Sequence, residues 1–141
     1  MKRTASAHWQ GDLKTGTGTI STASGVLNKT QYSFSTRFEN GIGTNPEELI
    51  AAAHAGCFTM ALSGQLAQKN HTATSMETTA TLSMEKLEAG WTVTEIVLSL
   101  KANVPGISQA DFDTAANNAK AGCPISRLLN AKIALHAELI S

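Results

Sequence analysis

The sequence predicts an α+β protein with antiparallel sheets around a central helix. Residues that alternate with the period of a β-strand are grouped at the beginning, in the middle and at the end of the chain. The few helical segments do not alternate with strands one by one, and the longest of them, 43–68, is almost entirely apolar. The expected order is βββ-α-ββ-αα-β, in a single domain that covers residues 1–141.

The first three predicted elements are strands. Residues 5–9 and 14–21 are expected to form a hairpin around the turn at Gly11 and Asp12. A third strand is predicted over 31–38, where large and polar side chains alternate between two faces. This strand would place Arg37 on its polar face, near the end, before a glycine-rich link to the central helix.

The stretch from Gly43 to Gln68 is the predicted central helix. Asn45 is the expected N-cap, with Pro46 at the first helical position and Glu48 placed to complete a capping box. Asn70 can adopt the left-handed conformation that ends a helix. Because so little of its surface is polar, we expect this helix to be buried on most sides. A monomer of this size offers limited cover, so a homodimer is predicted.

Four elements are predicted after the central helix, besides a closing strand. Residues 75–86 and 91–103 favour strands that meet at a turn, and the segment 133–139 alternates strictly as the closing strand. Between them lie two helices, one opened by Ser108 and ended by Gly122, the other running from Cys123 to Leu129.

The composition argues against several classes of partner. Eleven basic and eleven acidic residues give a net charge of zero, so no basic field is available for nucleic acid or a membrane surface. The apolar run of the central helix is interrupted by polar residues and is expected to be too short to span a bilayer. The first ten residues lack the apolar core of a signal peptide. A cytoplasmic protein is predicted, in which two cysteines form a transient or catalytic pair.

Cys57 and Cys123 are the candidate reactive groups. Cys57 lies within the apolar helix, where a cysteine commonly serves as a small buried hydrophobe. Cys123 precedes Pro124 at a helix N-terminus, where free N–H groups favour a thiolate. Local electrostatics therefore favour Cys123 as the more activated sulfur, with a simple N-cap residue as the alternative.

Arg37 and Glu47 are the second candidate pair. Glu47 either stabilises the helix N-terminus or holds Arg37, and an arginine fixed by a carboxylate would supply the cation that a buried thiolate needs. Ten residues of unbroken helix separate Glu47 from Cys57 by about 15 Å along the axis. Either the helix kinks near Gly56, or Arg37 and Glu47 serve the Cys57 of a partner subunit.

A metal site is a weaker possibility. His54 and Cys57 share a helical face, and Cys123 and His136 are candidates to complete a ligand set. The sequence has no CxxC or HExxH spacing, and no metal or other bound cofactor is predicted. It also lacks a strand–GxGxxG–helix context and the GxSxG motif, which disfavours nucleotide binding and serine hydrolysis.

Several motifs resemble those of one known family. The segments TNPEELIAAAHAGCF and AGCPIS are similar to the cysteine motifs of the osmotically inducible protein C (OsmC) and organic hydroperoxide resistance (Ohr) family. The segments AHWQGDLKTGTGTISTASGVL and YSFSTRFENGIGTNPEE resemble the OsmC branch in particular. The resemblance covers nearly the whole chain. It implies an intertwined homodimer with central helices wrapped by sheets and active sites at the subunit interface.

The resemblance also implies an activity, a thiol peroxidase for organic hydroperoxides in oxidative and osmotic stress defence. Cys57 matches the peroxidatic cysteine and Cys123 the resolving cysteine, while Arg37 matches the active-site arginine and Glu47 the glutamate that orients it. Cys57 would form a sulfenic acid and then a disulfide with Cys123, which an external dithiol, lipoyl-type in this family, reduces. The alternative is a non-catalytic redox sensor or small-molecule-binding module that uses the same two cysteines.

Overall fold

The computed structural model describes residues 1–140 as two compact units, Met1–Leu49 and the chain from Ile50 onward. The strands are β1 (Ala5–Gln10), β2 (Thr17–Thr22), β3 (Thr30–Tyr32), β4 (Ser75–Leu87), β5 (Gly90–Asn103) and β6 (Lys132–Ile140). The helices are α1 (Phe34–Phe38), α2 (Pro46–Gln68), α3 (Gln109–Gly122) and α4 (Pro124–Leu128). The predicted order is confirmed except for α1.

The first unit contains an antiparallel sheet in the order β1-β2-β3. The predicted hairpin is confirmed, with Trp9 paired to Gly18 and Gly18 paired to Tyr32. A Cβ atom on Gly18 would lie 2.5 Å from the Tyr32 ring and 2.6 Å from the Trp9 ring. Only glycine therefore lets these two aromatic rings close over the middle strand.

The predicted strand over 31–38 is wrong beyond Tyr32, because Ser33 begins helix α1. The Ser33 hydroxyl accepts a hydrogen bond from the Thr36 N–H at 3.2 Å, and the Thr36 hydroxyl accepts one from the Ser33 N–H at 2.9 Å. This capping box satisfies backbone groups locally and overrides the alternating pattern. Arg37 consequently lies in the last turn of a short helix rather than on a strand face.

Helix α2 begins as predicted. The Asn45 side chain accepts a hydrogen bond from the Glu48 N–H at 2.7 Å, as an N-cap does. The Glu48 carboxylate accepts a hydrogen bond from the Thr44 hydroxyl at 2.8 Å, whereas in a capping box it would accept one from the backbone N–H of the N-cap residue. The helix then runs without interruption through Gly56.

Helix α2 also ends as predicted, at a left-handed Asn70 with φ of 59°. The His71 N–H donates to the Leu66 carbonyl at 2.9 Å, and the Asn70 N–H donates to the Ala67 carbonyl at 3.0 Å. These two bonds form a Schellman motif, which satisfies carbonyls that a helix end would leave free.

The predicted burial of α2 on most sides, partly against a second copy, stays a prediction that one chain does not test. Within the chain only one stripe is buried, formed by His54, Phe58, Leu62 and Leu66, while Met60 is 80% exposed. The expectation that its apolar run is too short for a bilayer is wrong by length and composition, because α2 has 23 residues and is apolar enough to cross one. A core helix meets the same criterion, and the buried stripe of α2 belongs to the core of the second unit.

The second unit contains a sheet in the order β4-β5-β6. Strands β4 and β5 are antiparallel, as predicted, but β5 and β6 are parallel, with Ile96 opposite Ile133. The expectation of purely antiparallel sheets is therefore wrong for this pair. Helices α3 and α4 connect the two strands and return the chain to the end of the sheet where β5 began, as a crossover does.

The core of the second unit lies between one face of this sheet, the buried stripe of α2 and helix α3. Its fully buried members include Phe58, Leu62, Leu66, Ile96, Leu98, Phe112, Ala115, Ala116 and Cys123. Helix α3 is capped by Ser108, which accepts from the Asp111 N–H at 3.1 Å, as predicted. Because α3 packs on the sheet, it carries Cys123 at its C-terminal end into this core.

Candidate active site

The two cysteines, 66 residues apart in sequence, meet in the second unit. Their Sγ atoms are 2.6 Å apart, and both are free thiols. Cys123 is fully buried, whereas Cys57 is partly exposed on α2. A disulfide bond is about 2.05 Å long, so joining the two sulfurs requires little movement. Of this pair, Cys57 is the more accessible residue.

The backbone fixes Cys123 from both sides. Its N–H donates to the Ala119 carbonyl at 2.9 Å, which ends α3, and its carbonyl accepts from the Arg127 N–H at 3.1 Å, which begins α4. Pro124 occupies the first helical position, as predicted, and the Cys123 side chain makes no capping hydrogen bond. The sulfur of Cys123 is thus directed to Cys57 and not to the N–H groups of α4.

Cys57 accepts a hydrogen bond from the start of α4, where the sequence led us to expect that Cys123 would accept one. The Ile125 N–H, in the first turn of α4, donates to the Cys57 sulfur and lowers its pKa. Burial is the largest influence on this thiol and raises its pKa, and the hydrogen bond with Cys123 raises it further. The net effect is a raised pKa, and none of these influences comes from a positive charge.

Arg37 and Glu47 form the predicted ion pair in the first unit. The Arg37 Nε lies 3.2 Å from Glu47 Oε2, and its Nη2 lies 2.5 Å from Oε1, so the contact is bidentate. The hydrogen bond to Glu47 raises the pKa of Arg37. The guanidinium carbon also lies 5.2 Å from the centre of the Phe38 ring. The cation is therefore held in place by a carboxylate and an aromatic ring while its side chain stays 35% exposed.

An apolar cavity of about 280 Å³ lies beside Arg37. Its lining is mainly aromatic and consists of Trp9, Leu13, Tyr32, Ser33, Phe34, Arg37 and Phe38. The rings of Phe34 and Phe38 are 4.8 Å apart, one helical turn apart on α1. Sequence reasoning missed this cavity because it placed 31–38 in a strand. The spacing of Ser33 and Thr36 was the signal for the helix.

The position of Arg37 and Glu47 along the chain constrains how they can act. Glu47 lies in the first turn of α2 and Cys57 near its middle, about 15 Å further along the axis at 1.5 Å per residue. Helix α2 continues through Gly56 as one helical segment.

His54 contacts α4 and not a metal-ligand set. Its ring is fully buried, and Nε2 lies 2.7 Å from the Ser126 hydroxyl. Nδ1 is also buried and has no hydrogen-bond partner. Within residues 1–140, no group of three or more His, Cys, Asp or Glu side chains is placed to hold a metal ion. His136, the other histidine of the considered set, is exposed on β6. Sequence reasoning did not identify the contact between His54 and Ser126.

Comparisons with known proteins agree with these features. Residues 38–138 match the family described as OsmC-like protein, a range that includes Glu47, Cys57 and Cys123 and begins one residue after Arg37. The chain is 54% identical over 135 residues to the Escherichia coli protein named peroxiredoxin OsmC, covering 96% of this chain and 94% of the relative.

More distant relatives carry the name of the second branch. An organic hydroperoxide resistance protein of Xanthomonas axonopodis is 32% identical over 94 residues, covering 66% of this chain and 64% of the relative. The crystal structure of OhrB from Bacillus subtilis, an organic hydroperoxide resistance protein, superposes with a TM-score of 0.68 at 26% identity, covering 97% and 98% of the two chains. The predicted α+β class and the resemblance are thereby confirmed, and the chain belongs to the OsmC-like protein family.

Proposed function

We propose that this protein is a thiol peroxidase that reduces organic hydroperoxides to alcohols. The observation that carries the proposal is the pair of sulfurs 2.6 Å apart, on one partly exposed and one buried cysteine. Relatives named peroxiredoxin and organic hydroperoxide resistance protein support it. The more accessible member, Cys57, is the nucleophile, and Cys123 resolves the oxidised form.

The reaction follows from thiolate chemistry. The Cys57 thiolate attacks the distal oxygen of the hydroperoxide, the O–O bond breaks, and the alkoxide takes up a proton and leaves as an alcohol. The sulfenic acid at Cys57 is then attacked by the sulfur of Cys123. The S–O bond breaks, water leaves and a disulfide remains. An external dithiol, of the lipoyl type in our proposal, reduces that disulfide, and no bound cofactor takes part.

The cation for Cys57 comes from a second subunit in this proposal. The pKa of Cys57 is raised and no positive charge acts on it, so a thiolate at neutral pH requires an additional cation. Arg37 is a suitable one, because Glu47 and Phe38 hold its guanidinium in place. Since α2 is unbroken between Glu47 and Cys57, we assign the pair to the Cys57 of the partner in a homodimer.

The uncovered side of α2 supports the homodimer. Its exposed residues within 52–67 are small except for Met60, which permits close approach of another helix: Ala52, Ala53, Gly56, Ser63, Gly64 and Ala67. Added side-chain atoms at Gly56 or Gly64 would meet nothing within 4 Å in the single chain. A second copy is the occupant that we propose, because it would bury this apolar surface and bring Arg37 to Cys57.

The substrate class follows from the surroundings of Arg37. In the proposed dimer the aromatic cavity of about 280 Å³ lies next to the peroxide, where it receives the organic group. Burial of apolar surface is worth about 25 cal/mol per Å², a gain that hydrogen peroxide cannot obtain. The enzyme therefore favours hydroperoxides with an apolar substituent. The need for an external dithiol is consistent with a reducing compartment, and we propose the cytoplasm.

A turnover assay tests the function. The native protein, Cys57→Ser and Cys123→Ser are each mixed with an excess of cumene hydroperoxide and a dithiol, and peroxide loss is followed. With the dithiol present, the native protein should consume many equivalents and Cys57→Ser none, whereas Cys123→Ser given one equivalent of hydroperoxide without dithiol should hold a sulfenic acid at Cys57. Turnover by Cys57→Ser would contradict the assignment. Consumption of a single equivalent by the native protein would favour the redox sensor.

A further inference from the structure

We infer that His54 and Ser126 are positioning residues that hold Cys123 against Cys57 while the disulfide closes; this inference rests on the proposed function. The two side chains are joined by a hydrogen bond, with His54 Nε2 2.7 Å from Ser126 Oγ. His54 is fully buried and Ser126 is 9% exposed, so water does not compete for this bond.

The bond lies one helical turn from the two sulfurs on both helices. His54 precedes Cys57 by three residues on α2, and Ser126 follows Cys123 by three residues at the start of α4. Residues three apart share one face of a helix. Helices α2 and α4 are therefore joined at two neighbouring points, Sγ to Sγ and Nε2 to Oγ. A single contact allows α4 to rotate about it, whereas a second contact prevents that rotation.

Helix α4 needs such a contact more than the other helices. It has five residues and no side-chain N-cap, so it has little stability of its own. The Ile125 N–H that reaches the Cys57 sulfur lies between Cys123 and Ser126 in the same turn. Any rotation of α4 would therefore disturb both the resolving sulfur and this hydrogen bond to the reactive sulfur.

The second ring nitrogen of His54 indicates that this residue does more than fill space in the core. Nδ1 is buried and has no partner, which opposes stability, whereas an apolar side chain of similar size would leave no polar atom unsatisfied. Burial also lowers the pKa of His54, so the ring stays neutral beside the two sulfurs. A residue kept only for packing would gain nothing from this unpaired nitrogen.

The consequence concerns the fate of the sulfenic acid at Cys57. It can react with the Cys123 thiol, which forms the S–S bond, breaks the S–O bond and releases water. It can instead react with a second hydroperoxide, which transfers an oxygen to give a sulfinic acid and releases another alcohol. The first route depends on the position of Cys123 and the second does not. His54 and Ser126 therefore set the hydroperoxide concentration at which overoxidation begins.

Five variants and one control separate positioning from packing. His54→Phe, Ser126→Ala and the double variant remove the hydrogen bond, whereas His54→Gln and Ser126→Thr retain groups able to form it. Leu62→Ala, two turns along the same buried stripe, destabilises the core without touching the pair. Each reduced full-length protein receives cumene hydroperoxide at increasing doses. Mass spectrometry follows loss of the Cys57 thiol, formation of the disulfide and formation of sulfinic acid.

The expected result is a change confined to the second step. Disulfide formation should slow about five- to tenfold in His54→Phe and in Ser126→Ala, the effect of one lost buried hydrogen bond, while the first oxidation keeps its rate. The hydroperoxide dose for half-maximal sulfinic acid should fall by the same factor. The double variant should be no slower than either single variant, because both remove one bond. The conservative variants His54→Gln and Ser126→Thr should recover most of the rate.

Two results would overturn the inference. One is disulfide formation in His54→Phe at the native rate. The other is a slowing of disulfide formation that Leu62→Ala reproduces at an equal loss of stability. If the native protein forms neither sulfenic acid nor disulfide with hydroperoxide, the proposed function fails instead. Equilibration with dithiothreitol then still tests the pair, because His54→Phe should make the disulfide between Cys57 and Cys123 about fivefold easier to reduce. An unchanged equilibrium constant would count against it.

Discussion

Activity should return when two impaired variants, the weakly active Arg37→Ala and the inactive Cys57→Ser, are allowed to exchange subunits. If Arg37 serves the partner's Cys57, a mixed dimer combines the intact Cys57 of one subunit with the intact Arg37 of the other. That dimer has one complete site, and its second site lacks both groups. If Arg37 acted within its own subunit, each site of the mixed dimer would lack one group and no activity would return.

The size of the effect follows from the structure and from simple mixing. Random exchange of equal amounts gives about half mixed dimers, each with one of two sites complete, so about a quarter of the native sites are regained. The background is low, because a cation within 4–6 Å lowers a thiol pKa by about 1 to 3 units. Loss of Arg37 should therefore reduce the thiolate of Cys57, and the first-step rate near pH 7, at least about tenfold. A regained activity of about a quarter of the native value would lie clearly above this background.

The assay requires proof of exchange and a matched control. The two variants carry different affinity tags, are mixed through a refolding step and are assayed for consumption of cumene hydroperoxide with a dithiol. Arg37→Ala mixed with the double variant Arg37→Ala, Cys57→Ser should regain nothing, because no intact Arg37 is present. Tagged mixed dimers without activity would refute the assignment of Arg37 to the partner. A folded monomer in sedimentation would refute the dimer itself.

Three further predictions concern other parts of the molecule. Glu47→Gln should raise the pKa of Cys57 less than Arg37→Ala does, since the cation remains but loses its carboxylate; alkylation rates against pH measure this, and equal shifts would contradict it. Burial lowers the pKa of His54 from 6.5, so below that pH the unfolded chain binds more protons than the folded protein. The free energy of unfolding should therefore fall as the pH falls, with a slope of up to about 1.4 kcal/mol per pH unit. Urea unfolding between pH 6.5 and 5 should show this slope in the native protein and lose it in His54→Phe; equal slopes would contradict it. Gly18→Ala should destabilise the fold by about 1 to 3 kcal/mol, because its Cβ would meet ring atoms at 2.5 and 2.6 Å, and an unchanged melting temperature would be inconsistent with that contact.

Helix ends were predictable because their determinants lie within a few residues. Asn45, Asn70 and Ser108 all occupy the capping positions expected of them. The same local chemistry explains the main error, since the hydrogen bonds between Ser33 and Thr36 form α1 where alternation predicted a strand. The parallel pairing of β5 with β6 was missed for a different reason. It depends on the path of two connecting helices, which no local pattern encodes.

The site was predictable in its residues but not in its geometry. Arg37 and Glu47 are in contact as expected, and the meeting of Cys57 with Cys123 agrees with what the family resemblance implied. Local reasoning assigned the free N–H groups of α4 to Cys123, whereas the Ile125 N–H reaches Cys57. Such groups point outward from the first turn of a helix, so a sulfur on a different element can accept from them. Sequence alone cannot show which sulfur does so.

The burial of Cys123 fixes the order of events when the disulfide is reduced. In the proposed reaction a dithiol approaches the disulfide from the side of Cys57, the more accessible residue, so it forms its mixed disulfide there and expels Cys123 as the leaving thiol. Peroxide and reductant must then use the same opening in turn, and neither can enter while the other occupies it. Excess of one should slow the half-reaction of the other, which gives this enzyme mutual substrate inhibition as a kinetic signature.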